Sequence, residues 1–490
     1  MSDRNTLGDM KPSAEEPVAS VTRPVDWENF REHLATADKE GRRRWLYPKR
    51  PSGRWYRWRT WMSWVLITVM FVGPFVRIQG HPLLMLNIVE RKFSILGQMF
   101  WPEDTILFAV AMLTFFAGIM IFTTAFGRLW CGWTCPQTVM MEMVFRKLEY
   151  LIEGDAAAQK ALDAAPWTTG KVARKVLKHG VFLGLSFLIG NTLLSYIIGT
   201  EALFGIITDD PRRHEVGLGF MVAFTLLFYG IFARFREQAC TFICPYGRFQ
   251  SALLDENSLV VAYDHKRGED RGPRKRDQDL VAWKAEGRGD CVDCRRCVAV
   301  CPTGIDIRNG IQMECVHCTA CVDACDGVMD KLGRPRGLIR YASLDGIEKG
   351  LPLRFTARMK LYAGILTGLV TLFLVLVFTR ADVETMFLRA PGGLFQTLPN
   401  GRISNLYTVK VVNKSHRDLP IEFRLEGREG VVRTMGAAGF VVPHEQLRQA
   451  SVLVELDRAQ MNGHTTQLLV GVYSDGKRLE TVKTSFIGPR

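Results

Sequence analysis

Several familiar signatures are missing from this 490-residue chain. There is no C-x-x-C-H run, which excludes covalent haem attachment by that motif. No Gly-rich fingerprint follows a strand, so no nicotinamide or flavin site of the Rossmann type is expected. Electrons must then come from a partner, either a quinol or a soluble carrier. The first 40 residues are polar, with scattered Pro and acidic side chains, and hold no apolar stretch of a secretory signal. They are expected to be a disordered cytoplasmic tail. The first apolar run begins near residue 61, so it should stay in place as an anchor. Cysteine is absent from residues 77–104, 200–215 and 382–490, so no disulfide framework can form there.

Apolar character is unevenly spread. Runs at about 61–79, 105–126, 179–199, 216–235 and 360–379 are each long enough to cross a hydrocarbon core of about 30 Å as a helix. Basic residues alternate along the intervening segments. Eight Lys/Arg lie between Arg42 and Arg59, three in 77–104, eight in 128–178, two in 200–215 and more than twenty in 234–360. By the positive-inside rule this predicts five spans, with the N-terminus cytoplasmic and the C-terminal segment outside. The net charge of +13 is then explained by cytoplasmic helix ends, and no nucleic-acid partner is expected.

All twelve cysteines fall in segments this topology places in the cytoplasm, where thiols stay reduced. Eight form two blocks, "CVDCRRCVAVCPTGIDI" and "CVHCTACVDACD", each spaced C-x2-C-x2-C-x3-C; Asp326 replaces the proline after the second. This is the two-cluster ferredoxin pattern, in which the fourth Cys of each block serves the other cluster. Cys291, Cys294, Cys297 and Cys325 are therefore expected to hold one [4Fe–4S] cluster, and Cys315, Cys318, Cys321 and Cys301 the second. Structural zinc seldom uses eight cysteines in a doubled register. His317, inside the second block, reads as a nearby polar side chain rather than a ligand. The charged stretch 264–290 reads as a solvated linker.

The remaining four cysteines form a repeated motif. "FGRLWCGWTCPQ" ends the second apolar run and "FARFREQACTFICPYG" the fourth, both with C-x3-C-P. Proline favours the first helical position and keeps its predecessor out of the α region, so Cys135 and Cys244 are predicted at helix N-caps, where thiolates are favoured. Val139, Met140, Met143, Val144, Leu148, Leu151 and Ile152 form an apolar stripe, with Glu142, Arg146, Lys147 and Glu149 off it. That predicts an amphipathic helix on the cytoplasmic surface, with Met140, Met141 and Met143 serving packing. Clustered thiolates suit soft metals such as Cu(I). Cys131, Cys135, Cys240 and Cys244 could form a copper site, a redox dithiol, a third iron–sulfur cluster or buried structural thiols.

Residues 382–490 alternate with period 2 between Asn, Gly, Asp and Pro breaks, as in "NLYTVKVVNKS" and "LPIEFRLEG". This predicts an all-β immunoglobulin-like sandwich without a disulfide, in a docking or scaffold role. The expected organisation is a multi-domain membrane protein. It comprises a tail over 1–40, four spans with both C-x3-C-P motifs over 41–262, a two-cluster ferredoxin-type domain over 263–359, a fifth span over 360–380 and the outer domain over 381–490.

"WCGWTCPQTVMMEMVFRKLEYLIEGD", "CTFICPYGRFQSALLDENSLVVAYD", the long stretch from Gly289 to Tyr341 and the loop "FSILGQMFWPED" together resemble the cytochrome c oxidase accessory protein family (CcoG, also called FixG or RdxA). The resemblance runs from about residue 45 to the end. It implies a cupric reductase that supplies Cu(I) to copper chaperones and the cbb3-type oxidase assembly machinery, with an unidentified electron donor. It also implies a copper role for Cys131, Cys135, Cys240 and Cys244, and a cluster-ligand role for the eight ferredoxin cysteines. The membrane it implies is a bacterial inner membrane, with the outer side periplasmic. The short pairs also occur in polyferredoxin-like membrane subunits, so an electron-conduit subunit without its own copper is the alternative. The outer domain and "GRPRGLIRY" favour the reductase.

Overall fold

A computed structural model of the chain describes residues 36, 40, 42–78, 81–87, 92–95, 98–100, 105–274, 278, 280–352, 354–415, 417–435, 439–444 and 446–489. The expectation of disorder over 1–40 lies, apart from Thr36 and Glu40, outside them. The described residues fall into two compact units. One draws on Met1–Val76 and Phe115–Leu366, the other on Arg77–Thr114 and Thr367–Arg490.

Among the described residues, four helices are long and apolar enough to cross a membrane: Thr105–Phe126, Thr169–Ile198, Pro211–Phe235 and Ala357–Phe378. They coincide with four of the five apolar runs. Thr105–Phe126 contains no charged residue, so only lipid or protein interior suits its flanks. The first run is helical too, over Arg54–Val72, but that helix begins among Arg54, Arg57 and Arg59 and is not one of the four. Its early start has a cause the local sequence does not show. The carboxylate of Asp323 accepts the backbone N–H groups of Trp55 (3.1 Å) and Tyr56 (2.8 Å), a cap supplied from far along the chain.

Within the first unit, strands Val260–Tyr263 and Ile339–Ala342 pair antiparallel, Val260 opposite Ala342 and Tyr263 opposite Ile339. The ferredoxin blocks lie between them in sequence, with helices Arg296–Ala299 and Ala320–Lys331. Leu259 N–H donates to the Ala125 carbonyl (3.0 Å), and the Ser258 hydroxyl to that of Thr124 (2.7 Å). The iron–sulfur segment is thus bonded to the end of helix Thr105–Phe126 and belongs to the first compact unit. The stretch 264–290 is also more than a solvated linker. Trp283 is fully buried, its indole N–H donates to Gly289 O (2.6 Å), and Arg334 lies over its ring.

The second unit is a sandwich of two antiparallel sheets. One has the order Gly430–Met435, Leu447–Leu456, Ile403–Asn413, Val383–Arg389, with Gln396–Thr397 beside Ile403–Asn413. The other has the order Phe440–Val442, Leu419–Glu426, Thr465–Ser474, Lys477–Ile487. Alternate residues point inward, so Val409, Val411, Val452 and Val454 meet Ile421, Phe423, Val470 and Val472 in one dry core. That core replaces the disulfide. Here too the short strands Leu84–Asn87, Lys92–Ile95 and Gln98–Phe100 form a meander, and Arg380, just past the last span, sits over the Phe100 ring at 5.0 Å.

Candidate metal centre

The eight ferredoxin cysteines border two cavities. One is lined by Cys291, Cys294, Cys297 and Cys325 together with Tyr263, Arg308 and Met329. The other is lined by Cys301, Cys315, Cys318 and Cys321 together with Val261, His317 and Thr319. Each cavity thus gathers one of the two sets expected from the spacing, three thiols from one block and one from the other. Cys297 borders the second cavity as well, so the two are neighbours. Backbone geometry opens these loops: Asp293, Arg295, His317 and Thr319 all adopt positive φ.

Burial pushes these thiols up, Cys297 and Cys315 to about 12 and Cys318 to about 11. Only a strong positive charge in the cavities would make them thiolates at neutral pH. His317 is buried and pushed down to about 3 by desolvation, with Arg128 adding to it, so its ring is neutral. Its Nδ1 accepts the Arg128 backbone N–H at 3.1 Å. It binds protein, as expected, and is committed at that nitrogen.

The two C-x3-C-P turns come together beside this block. Cys135 and Cys244 occupy the N-caps of helices Pro136–Thr138 and Pro245–Leu253, as the prolines predict. The Cys131 thiol donates to Gln250 Oε1 (3.3 Å), which also accepts Arg128 Nε (2.9 Å). Burial pushes Cys240 up to about 12, reinforced by Cys135, Cys131 and Cys244 around it. Burial likewise raises Cys131, against the pull of Arg128. For these two thiols desolvation outweighs any helix-end effect. Among the described residues no three His, Cys, Asp or Glu side chains converge on a single-ion site. The four cysteines are neighbours with buried walls rather than a closed cage.

Cys131 and Cys318 pack in one apolar cluster with Val300, Val316 and Ala320. The approach is close because residue 132 is glycine. A Cβ there would sit 2.4 Å from the Val316 carbonyl oxygen and 2.8 Å from that of His317. Gly247 does the same in the second turn, where a Cβ would sit 2.7 Å from Cys240 O. Around this contact Arg59 Nε donates to Gly132 O (2.9 Å), Trp133 Nε1 to the Tyr341 hydroxyl (3.0 Å), and that hydroxyl to His317 O (3.0 Å).

The segment after Cys135 is not the surface amphipathic helix expected. It is a π-helix over Val139–Phe145 running into Arg146–Ile152, and its charged side is buried as deeply as its apolar side. The reason is an ion lattice. Arg236 holds Glu149 through two bonds (3.0 and 2.7 Å), Lys178 reaches Glu149 and Glu153, and Arg146 pairs with Glu142 and Glu237. Leu151, assigned to the stripe, is exposed. Met140 and Met141 pack with Phe145, Phe182 and Phe232, and Met143 is also buried, as the packing role requires. Phe145 stacks on Phe232 at 4.4 Å, so aromatic packing and ion pairs both tie the segment after one Cys turn to the segment before the other.

Sequence reasoning missed Gln250, Gly132, Gly247, Asp323 and this lattice. The available signal was slight: Gly247 and Gln250 lie three apart, on one helix face, directly after a C-x3-C-P motif.

Comparison with known proteins fits this picture. Residues 235–344 match the family model of a 4Fe-4S dicluster domain, and residues 108–152 that of a 4Fe-4S binding domain. Residues 373–489 match the IG-like fold at the C-terminal of FixG. The chain is 35% identical to the nitrogen fixation protein FixG of Rhizobium meliloti (strain 1021), covering 81% of this chain and 82% of that one. It is 33% identical to protein RdxA of Cereibacter sphaeroides, over 91% and 97%, and 32% identical to RdxB of the same organism, over 82% and 88%. With identities of this order along most of both chains, and iron–sulfur and FixG-type C-terminal segments where the cysteine blocks and the sandwich lie, the chain belongs to the FixG/RdxA family.

Proposed function

We propose that this protein is a membrane-embedded one-electron oxidoreductase that reduces Cu(II) to Cu(I) at Cys131, Cys135, Cys240 and Cys244. The observation that carries it is the shared packing of Cys131 with Cys318, which sets the cysteine quartet against a cluster cavity. Two [4Fe–4S] groups, when bound by the two cysteine sets lining the cavities, supply electrons singly, matching the one-electron change Cu(II) + e⁻ → Cu(I). The chain's part is to hold donor and acceptor close, to exclude water at Val300, Val316 and Ala320, and to offer soft sulfur. Soft sulfur favours Cu(I) over Cu(II) and so raises the acceptor potential. Five spans are proposed, with the cysteine-bearing side cytoplasmic and the sandwich periplasmic. The contact of Arg380 with Phe100 supports this, because both belong to segments assigned to the outer side. Delivery of Cu(I) to chaperones for cbb3-type oxidase assembly is the proposed outlet.

A second reading has its own support. The match to a 4Fe-4S binding domain over 108–152 includes Cys131 and Cys135. The quartet would then hold a third cluster, and the protein would be an electron conduit. Metal analysis of anaerobically purified protein separates the two. Under the copper reading, wild type holds about eight irons, and Cys131→Ser/Cys135→Ser loses copper binding and Cu(II) reduction but no iron. Under the cluster reading, wild type holds about twelve irons and the double variant about eight. A double variant with unchanged iron and unchanged Cu(II) reduction would place copper elsewhere.

A further inference from the structure

Of the twelve cysteines, Cys294 alone is exposed; the others are buried or half-buried. It lines the Cys291/Cys294/Cys297/Cys325 cavity, whose rim also carries Arg295 and Arg296, both exposed. The other cavity has all four of its cysteines at least half-buried and faces Cys131 instead. The two cavities therefore differ in access: one opens to the surface at Cys294, and the other leads inward to the quartet.

The charges at the open rim are not balanced locally. Asp293 is taken up by a hydrogen bond from Arg308, which Asp306 also holds. Arg295 reaches Asp293 only at 4.0 Å, with its side chain 57% exposed. Asp326, beside Cys325, is half-buried and accepts the Gly337 N–H at 2.9 Å. The acids near the rim are thus turned to internal partners while the two arginines face outward.

We propose that the Cys294 rim, with Arg295 and Arg296, is the docking surface for an acidic, soluble one-electron carrier protein that reduces this end of the relay. The proposal rests on the assignment above of a [4Fe–4S] cluster to Cys291, Cys294, Cys297 and Cys325, and adds the class of the electron donor. A [4Fe–4S]²⁺ core with four thiolates carries a net charge of about −2, which repels an acidic carrier. Two exposed guanidinium groups beside the only exposed ligand offset that repulsion where electrons must pass. Small, charge-steered, salt-sensitive contacts are the usual form of such encounters.

The test uses the full-length protein in detergent, with a reduced acidic [2Fe–2S] ferredoxin as probe, followed by stopped-flow bleaching of the cluster absorbance. Arg295→Glu/Arg296→Glu should lower the second-order rate at least about 10-fold at low ionic strength. The difference should collapse near 1 M salt, where the screening length is about 3 Å. Arg295→Lys/Arg296→Lys should stay near wild type. Iron content and the rate with a small neutral photoreductant should be unchanged in both variants. An unaltered ferredoxin rate and salt slope in an iron-replete charge-reversed variant overturns the docking surface alone. Equal losses with ferredoxin and the neutral reductant, or a shifted cluster potential that accounts for the change, also overturn it, because the arginines would then tune the cluster. Wild-type protein that purifies anaerobically without iron overturns the assignment of clusters to the two cavities itself.

Discussion

Around Cys131 the chain is pressed into the iron–sulfur block, with Gly132 against the Val316 and His317 carbonyls and Trp133 bonded to Tyr341. Around Cys240 and Cys244 the same C-x3-C-P motif presents Phe242 and Ile243, 47% and 61% exposed. Both turns end in a proline-capped N-terminus, so the local backbone is shared and the surroundings are not. A duplicated motif thus sits in two different environments, and on the function proposed above the two copies would have different tasks. The first copy packs against Cys318 of the iron–sulfur block, while the second leaves Phe242 and Ile243 exposed. Gln250 couples them, because it sits on the second copy's helix and bonds the first copy's thiol.

The most damaging way to break this pairing is to cut the lattice tying the copies together. Glu149→Gln leaves Arg236 buried without its carboxylate partner, and should destabilise the protein by about 3–5 kcal/mol, read as a lowered thermal midpoint in detergent. The same pair sets an acid limit. Burial raises the Glu149 carboxyl, but Arg236 and Lys178 outweigh it and hold the pKa below its ordinary value. A depressed folded-state pKa contributes stability that is full above the ordinary Glu range and is lost as pH falls through the folded value. Thermal midpoints measured downward from pH 6 should show that loss in wild type and a flatter profile in Glu149→Gln.

Next come the two glycines, which test whether the copies really differ. Gly132→Ala must push the Val316 and His317 carbonyls away, and should slow electron delivery to the quartet severalfold with less effect on its metal affinity, since a wider gap between donor and acceptor slows electron tunnelling. Gly247→Ala acts within the quartet, beside Cys240 O, and should weaken metal affinity more than it slows cluster reduction. Single-turnover kinetics beside a Cu(I) titration would separate them. If both variants lose the same property, the division of labour is wrong.

How far these features could be read beforehand follows from the kind of force involved. The grouping of the ferredoxin cysteines around two cavities, the N-cap cysteines and four of the apolar helices were legible because thiol spacing, proline stereochemistry and helix length act over a few residues. The sandwich was legible from alternation for the same reason. The buried face of Val139–Ile152 was not. Glu142, Arg146 and Glu149 look solvated until Arg236, Glu237 and Lys178 arrive from elsewhere to neutralise them. The start of helix Arg54–Val72 was hidden likewise, because its capping group is Asp323.

Two smaller effects sharpen the picture. Asp323→Ala removes that cap and should cost about 1 kcal/mol, visible as faster amide exchange at Trp55 and Tyr56. Met140→Leu should change stability by less than about 1.5 kcal/mol and leave copper affinity untouched, because the side chain only fills space among Phe145, Phe182 and Phe232. A marked loss of copper affinity would instead make Met140 a ligand.

The Asp323 cap also has a consequence in time. Trp55 leaves the ribosome 268 residues before the carboxylate that will receive its N–H. Throughout that interval the first helix has an unfinished end, and its partner lies on the helix that carries Cys321 and Cys325. Finishing helix Arg54–Val72 therefore waits on the folding of a later-made part of the same unit. A chain in which helix Ala320–Lys331 fails to form keeps a loose first turn at the arginine-rich start of helix Arg54–Val72.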